Sequence, residues 1–343
     1  MKGTLRVIFR TGGGRGIGLG HVRRCLSLAE ALRSLGVECI FLLDGDQAAV
    51  ALATAADFEV VRIYPEEDIV CTTRQIHERR AHVVVADSYD FQSEYFRGLN
   101  SSGAAVVAID DLVNRELPVH LVINGSAGAG KLEYRASKDT LYLLGPQFAL
   151  LRSEFAEEPK RRPAGPVEQV LITVGGGDPM NLTPRLVDWT VGTLGDVLVD
   201  VVIGPLFESP DSIERYWRGA SRITFHHHPE EMHSLMLASD LALCSGGQTT
   251  YELAASGIPA IAVRLAENQT PNLMGLAAIG ALMWVGDAHD KDLEAKVRNS
   301  LAALGGDAVR RRRMSECGRA HVDGQGALRV ARVILDLSGG LLP

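Results

Sequence analysis

Ten residues near the N-terminus, Gly12-Gly13-Gly14-Arg15-Gly16-Ile17-Gly18-Leu19-Gly20-His21, hold the densest chemical information in the chain. Six of the nine positions from Gly12 to Gly20 are glycine, which is costly in chain entropy and needs a structural reason. One reason is a loop whose backbone N–H groups face a diphosphate, with a helix dipole behind them. The other is a plain strand-to-helix turn. His21 follows the last glycine, where the helix should begin. A neutral imidazole there can take a proton from water or a hydroxyl as the oxygen attacks carbon, and a helix N-terminus disfavours the imidazolium. Alternatively His21 caps or packs the helix. Arg23 and Arg24 either neutralise phosphate or face solvent. No G-K-[ST] follows the glycines, so this is not a Walker loop. The acid of a dinucleotide fingerprint is not placed at the end of the second strand, although Asp44 and Asp46 sit close to that position, so a nicotinamide enzyme is disfavoured, not excluded.

Asp87-Ser88-Tyr89 and Asp110-Asp111 end two apolar runs, and polar groups at strand ends are well placed to reach a ligand. Asp87 is a candidate to orient His21, and Tyr89 to hydrogen-bond a sugar or phosphate; loop solubility or helix capping are the plain alternatives. In the second half, Gly175, Gly176, Gly177 and Asp178 repeat the anion-cradle pattern. Gly246, Gly247, Gln248, Thr249 and Thr250 then join a strand to a helix, with N–H and hydroxyl donors suited to phosphate. Glu252, near the start of that helix, either accepts from ribose hydroxyls or answers the helix dipole. In Glu267-Asn268-Gln269, the amides of Asn268 and Gln269 can pair with a sugar without adding charge. His226-His227-His228 with His233 lack the spacing of a metal site, and neither metal nor cofactor is expected. Arg310–Arg313 looks like a solvated face. The G-x-S-x-G elbow of a serine hydrolase is absent.

These segments need strand ends to hold them. Apolar runs at 5–9, 37–43, 83–86, 106–109 and 121–124 alternate with helical patterns such as 22–35. The alternation resumes at 170–174, 198–203, 222–225, 241–244 and 260–263. Continuous apolar strands between amphipathic helices predict parallel sheets covered on both faces, hence an α/β protein with two doubly wound domains. A length of 343 residues agrees with two cores. The expected division is a sugar- or acceptor-side domain over 1–153, a linker over 154–168 and a nucleotide-binding domain over 169–318. A C-terminal helix within 319–343 is expected to pack back on the first domain. A ligand site between the domains, at their strands' carboxyl ends, is the natural expectation.

A formal charge of -7, from 35 Lys+Arg against 42 Asp+Glu, offers no global attraction to nucleic acid, and none is expected as a partner. The five cysteines have no C-x-x-C spacing, which suits a reduced, cytoplasmic setting. The apolar runs are too short to span a membrane.

From Arg10 to Ala29, with Ile17-Gly18-Leu19-Gly20-His21 and Arg24-Cys25-Leu26-Ser27-Leu28-Ala29, the chain resembles the opening of the PseG/SpsG family. The likeness continues through Asp87-x-Tyr89, Ile109-Asp110-Asp111, Asn124, Tyr134, Gly145-Pro146 and Leu151–Phe155. It includes Gly175–Asp178, Gly246–Thr249, Tyr251-Glu252-Leu253 and Glu267–Gln269. The family's best-characterised branch comprises UDP-2,4-diacetamido-2,4,6-trideoxy-β-L-altropyranose hydrolases. The resemblance implies two Rossmann-like domains in the GT-B architecture, with UDP on the C-terminal domain and the activated sugar against the N-terminal one. It maps the catalytic histidine to His21, a cleft tyrosine and amide to Tyr89 and Asn268, and the nucleotide-binding glutamate to Glu252. Two segments depart: the family's first-loop Asp is Gly12, and its Asp-His-Tyr-Gly is Asp87-Ser88-Tyr89-Asp90. The expectation is hydrolysis of a UDP-activated deoxy or amino sugar at the anomeric C–O bond, with transfer to a small sugar acceptor as the alternative.

Overall fold

The computed structural model describes residues 4–14, 18–135, 139–157 and 165–339. The chain divides into two compact units. One runs through Ser153 and resumes at Gly324, and the other is Glu154–Asp323.

Among the described residues, the first unit carries the strands β1 (Arg6–Gly13), β2 (Glu38–Gly45), β3 (Glu59–Arg62), β4 (Val83–Asp87), β5 (Ala105–Ile109), β6 (Leu121–Asn124) and β7 (Leu141–Leu144). All pair in parallel, in the order β3-β2-β1-β4-β5-β6-β7. The helices are α1 (Gly20–Ser34), α2 (Gln47–Ala55), α3 (Asp68–Arg79) and α4 (Ser93–Asn100). Central strands β4 to β6 are buried on both faces, which is why they read as unbroken apolar runs. Val22, Cys25, Leu26, Leu28, Ala29 and Leu32 form the buried stripe of α1. Phe9 stacks on Phe41 at 5.0 Å beneath that helix layer, and truncating Phe9 to alanine would remove about 3–5 kcal/mol of stability. The strand order reverses between β1 and β4, so the loops after these two strands diverge and leave a crevice.

β1 extends well beyond the apolar run at 5–9, because Gly12 and Gly13 pair with Asp44 and Gly45 of β2. A Cβ on Gly12 would lie 2.6 Å from the Asp44 carbonyl oxygen, so close strand packing accounts for that glycine. α1 begins at Gly20, two residues earlier than the periodicity indicates. The C-terminal helix Gly326–Gly339 belongs to the first unit and packs on α1. Its Val330, Ala331 and Ile334 are buried.

The second unit has β8 (Gln169–Thr173), β9 (Leu198–Ile203), β10 (Ile223–His227), β11 (Leu241–Ser245), β12 (Ala260–Arg264) and β13 (Leu282–Asp287). They are parallel in the order β10-β9-β8-β11-β12-β13, with the reversal between β8 and β11. The helices are α5 (Thr183–Leu194), α6 (Pro210–Tyr216), α7 (Met232–Ala238), α8 (Thr249–Ser256), α9 (Thr270–Ala278), α10 (Leu293–Gly306) and α11 (Ala308–His321). At the start of the segment expected as a linker over 154–168, a short 3-10 turn spans Ser153–Ala156, and residues 158–164 lie outside the described residues.

The basic run on α11 is not wholly a solvated face. Arg311 is fully buried, and its guanidinium donates to the carbonyls of Leu304, Gly305 and Gly165. Burial lowers its pKa from the ordinary arginine value. Among the described residues no helix is long and apolar enough to cross a membrane.

Candidate active site

In the first unit the reversal point gathers His21, from the start of α1, with the residues that follow β4. Burial lowers the pKa of His21 and nearby Arg24 adds to the effect, against the opposing pull of Asp87. The neutral ring is therefore the resting form near pH 7, as a proton acceptor requires. His21 is 6% exposed, and the Tyr89 ring meets it edge-on at 4.4 Å.

Asp87 does not hydrogen-bond His21; their nearest atoms, Nδ1 and Oδ1, are 4.0 Å apart. Its carboxylate is gripped at both oxygens by Arg24, whose Nε and Nη2 each donate at 2.6 Å. Burial alone would raise the pKa of Asp87, but Arg24 outweighs it and holds the carboxyl below the usual range. The third arm of Arg24 donates to Asp111 at 2.8 Å, and the Tyr89 hydroxyl donates to the same Asp111 oxygen at 3.3 Å. Arg24 thus ties the ends of β4 and β5 together beside His21 and is spent on carboxylates, not held for a phosphate. Arg23 is exposed.

A second layer steadies these loops. Arg115 donates to the carbonyls of Ser88 and Tyr89 and pairs with Asp110 at 3.2 Å. Tyr134 donates to the Asp110 carbonyl and accepts from Asn124. Asp110, Asn124 and Tyr134 therefore act as internal struts.

The glycine segment behaves differently from an open cradle. Gly14 and Gly18 exchange both backbone hydrogen bonds, at 2.9 and 2.7 Å, so those two N–H groups are occupied. Arg15, Gly16 and Ile17 lie outside the described residues. A side chain on Gly20 would meet nothing within 4 Å, leaving open space at the helix start.

His21 opens on a cavity of about 790 Å³ whose lining includes Gly12–Gly14, Asp44, Asp68, Ser88, Asp90, Phe91 and Tyr95. Asp87 and Tyr89 support His21 from outside this lining. Gly12, Ser88 and Asp90, which differ from the pattern of the resembled family, line the same space as Asp44. Asp44 is the register partner of Gly12 on β2.

Sequence reasoning missed Arg10, which is buried, lies in the same lining and pairs with Asp68 on α3. Asp68 also accepts from Tyr95 at 2.7 Å and from Thr72 at 3.1 Å. The available signal was an arginine inside an apolar strand.

In the second unit, the loops after β8 and β11 flank the reversal point. Gly175, at φ +99°, turns the chain out of β8, and Gly176 and Gly177 follow. Asp178 accepts from the N–H groups of Leu182 and Thr183, so it holds the start of α5. Gly247, Gln248 and Thr249 lead into α8, and a side chain on Gly247 would meet nothing within 4 Å. Gly246 is tightly packed, and its N–H donates to the Gln269 side-chain oxygen at 3.2 Å. The same oxygen accepts from Leu265 N–H at 2.8 Å, so Gln269 ties two loops together. Thr250 donates to the Gly247 carbonyl. Glu252 is half-buried in the first turn of α8, and Asn268 is exposed. His226 and His227 pair with different acids, Asp200 and Glu214.

No family model matches the chain. An uncharacterized protein of Methanocaldococcus jannaschii is 27% identical over 75% of this chain, and the match spans 55% of that protein. The spore coat polysaccharide biosynthesis protein SpsG of Bacillus subtilis is 23% identical over 95% of this chain and 96% of its own length. A Helicobacter pylori protein, named as a pseudaminic acid cytidylyltransferase and UDP-2,4-diacetamido-2,4,6-trideoxy-β-L-altropyranose hydrolase, is 27% identical over 74% of this chain and 43% of its length. Among solved structures, MurG of Acinetobacter baumannii superposes with a TM-score of 0.66 at 15% identity, over 96% of this chain and 99% of the other. The Staphylococcus aureus MnaA–UDP structure gives 0.66 at 14%, over 95% of each. The chain thus consists of two Rossmann-like parallel-sheet domains of the GT-B class.

Proposed function

We propose that this chain is a nucleotide-sugar-dependent glycosyltransferase, with His21 as the base that activates an acceptor hydroxyl or amine. The cavity beside His21 carries the reading. The buried imidazole borders about 790 Å³ in the first domain alone, room for an acceptor beside the activated sugar that either reaction must admit. That volume accommodates a sugar-sized acceptor.

In this mechanism the neutral imidazole takes the acceptor proton as the acceptor oxygen or nitrogen bonds to C1. The C1–O bond to the diphosphate breaks on the opposite face, its electron pair leaves with UDP, and the anomeric centre inverts. The Tyr89 ring packs against the imidazole while Arg24 and Asp87 fix the loops beside it, and positioning of this kind is worth several kcal/mol in the barrier. The nucleotide falls to the second domain, on amides from Gly176, Gly177, Gly247 and Gln248 and the Thr249 hydroxyl, with Glu252 toward the ribose and Asn268 toward the sugar. The N-terminus of α8 is the second domain's donor for a diphosphate's negative charge. All five cysteines are free thiols, which supports a cytoplasmic location.

Hydrolysis of a UDP-sugar is the second reading, supported by the name of the Helicobacter pylori relative. Glycosyltransferases and UDP-N-acetylglucosamine 2-epimerases both stand among the structural relatives, so transfer, in place of the hydrolysis expected from sequence, rests on the acceptor room beside His21. A panel of UDP-sugars with and without acceptors, followed by UDP release and NMR of the sugar product, tests the choice. Acceptor-dependent UDP release with a glycoside product supports transfer. Turnover at the same rate without acceptor, yielding a reducing sugar, replaces it with hydrolysis.

A further inference from the structure

The cavity's charge is lopsided in a way that bears on what enters it. Arg10 is the arginine in its lining, and its donors are committed: Nε and Nη2 to Asp68, and Nη1 to the Thr11 carbonyl at 2.7 Å. Its guanidinium also lies over the Phe91 ring at 5.0 Å. Arg10 and Asp68 therefore neutralise one another. Asp46 turns one carboxylate oxygen onto the first N–H groups of α2. Arg62 reaches the Gly45 carbonyl in an exposed contact.

Asp44 and Asp90 remain in the lining. Asp44 lies near the end of β2, its side chain 41% exposed and 3.9 Å from the already paired Arg10. Asp90 follows β4 and is exposed. β1 lies between those two strands, so the carboxylates flank the loop that leads to His21. The imidazole, buried and in the same lining, makes no hydrogen bond among the described residues, so a polar group is aimed into this space with nothing to meet it.

We infer that the acceptor taken by this cavity is a hydroxylated molecule with a cationic amino group, an aminosugar or amino-polyol, selected by Asp44 and Asp90. This rests on the transferase reading. The ammonium sits against the carboxylates while a hydroxyl is presented to His21. The hydroxyl proton passes to the imidazole, the oxygen bonds to C1 and UDP leaves with the C1–O electron pair. An acceptor carrying carboxylate or phosphate is repelled by the same pair, and Arg10 has no uncommitted charge to offer it.

Ligand-observed NMR titrations of the full chain with glucosamine, glucose and glucuronate, at low salt and pH 7, measure the selection without any turnover. Glucosamine should bind tighter than glucose by about fivefold for each engaged carboxylate, and glucuronate weakest. Asp44→Asn and Asp90→Asn should each reduce that preference, the double variant should abolish it, and 0.5 M NaCl should weaken it. Circular dichroism checks that the variants fold. Glucuronate binding as tightly as glucosamine, or a preference untouched in the folded double variant, overturns the inference. UDP release that no acceptor accelerates overturns the transferase reading instead, which separates the two failures.

Discussion

The two reversal points in this molecule are built from different materials. In the first domain, buried charged side chains make the connections: Arg24 spans Asp87 and Asp111, and Arg10 spans strand β1 and helix α3. In the second, glycines, hydroxyls and the neutral amide of Gln269 make them. A network of ion pairs fixes the strand ends beside one imidazole, which burial keeps neutral. Small residues leave open space at Gly247, at the start of α8. The contrast suits a first domain that carries the chemistry and a second that holds the nucleotide.

The contrast is most easily broken at Arg24. Replacing it with methionine leaves Asp87 buried without its guanidinium, and stability measured by urea unfolding should fall by about 3–5 kcal/mol. An unchanged midpoint would mean that the ion pairs do not hold the first reversal point. Next comes a pair of glycines. Gly12→Ala meets the Asp44 carbonyl and should cost about 1–3 kcal/mol. Gly247→Ala meets nothing, so its stability should stay within about 0.5 kcal/mol of the parent while UDP affinity, by calorimetry, declines. If both behaved alike, the division between packing glycine and ligand glycine would be lost.

Gln269→Ala strands two amide donors in the second domain and should lower stability by about 1–2 kcal/mol. Its loss should be smaller than that of Arg24→Met in the same assay. The mildest expected effect is on pH. His21 has a lowered pKa in the folded chain, so the acid limb of kcat/KM should lie below the ordinary histidine value near 6.5. The unfolded chain binds the His21 proton more readily, so this group's contribution to stability is present above about pH 6.5 and lost as pH falls toward the folded value. Replacing His21 with glutamine should remove that portion of the pH dependence.

Much of the architecture is legible because central strands of parallel sheets are apolar on both faces. The strands at 83–86, 106–109, 121–124 and 241–244 stand out for that reason. β3, β7 and β13 do not, since they lie at sheet edges, where half-exposed residues such as Glu59, Tyr142 and Trp284 interrupt the pattern. Within the site, His21 and the strand-end acids are readable from local context. The partners of Arg10, Arg24 and Gln269 are not, because Asp68, Asp87 and Gly246 come from other elements brought near only by the sheet. Arg311 shows the same limit, since its buried carbonyl partners are invisible in a run of four arginines. The glycines from Gly12 to Gly18 suggest a phosphate cradle, yet strand pairing and a mutual bridge account for Gly12, Gly13, Gly14 and Gly18.

The most direct trial of the account is steady-state UDP release by His21→Ala, with UDP affinity measured on the same preparation. Loss of a general base should lower kcat by about 10²–10⁴ while the nucleotide binds as before. A variant that keeps the parent rate with folded structure and normal UDP binding would show that the imidazole takes no proton in the reaction.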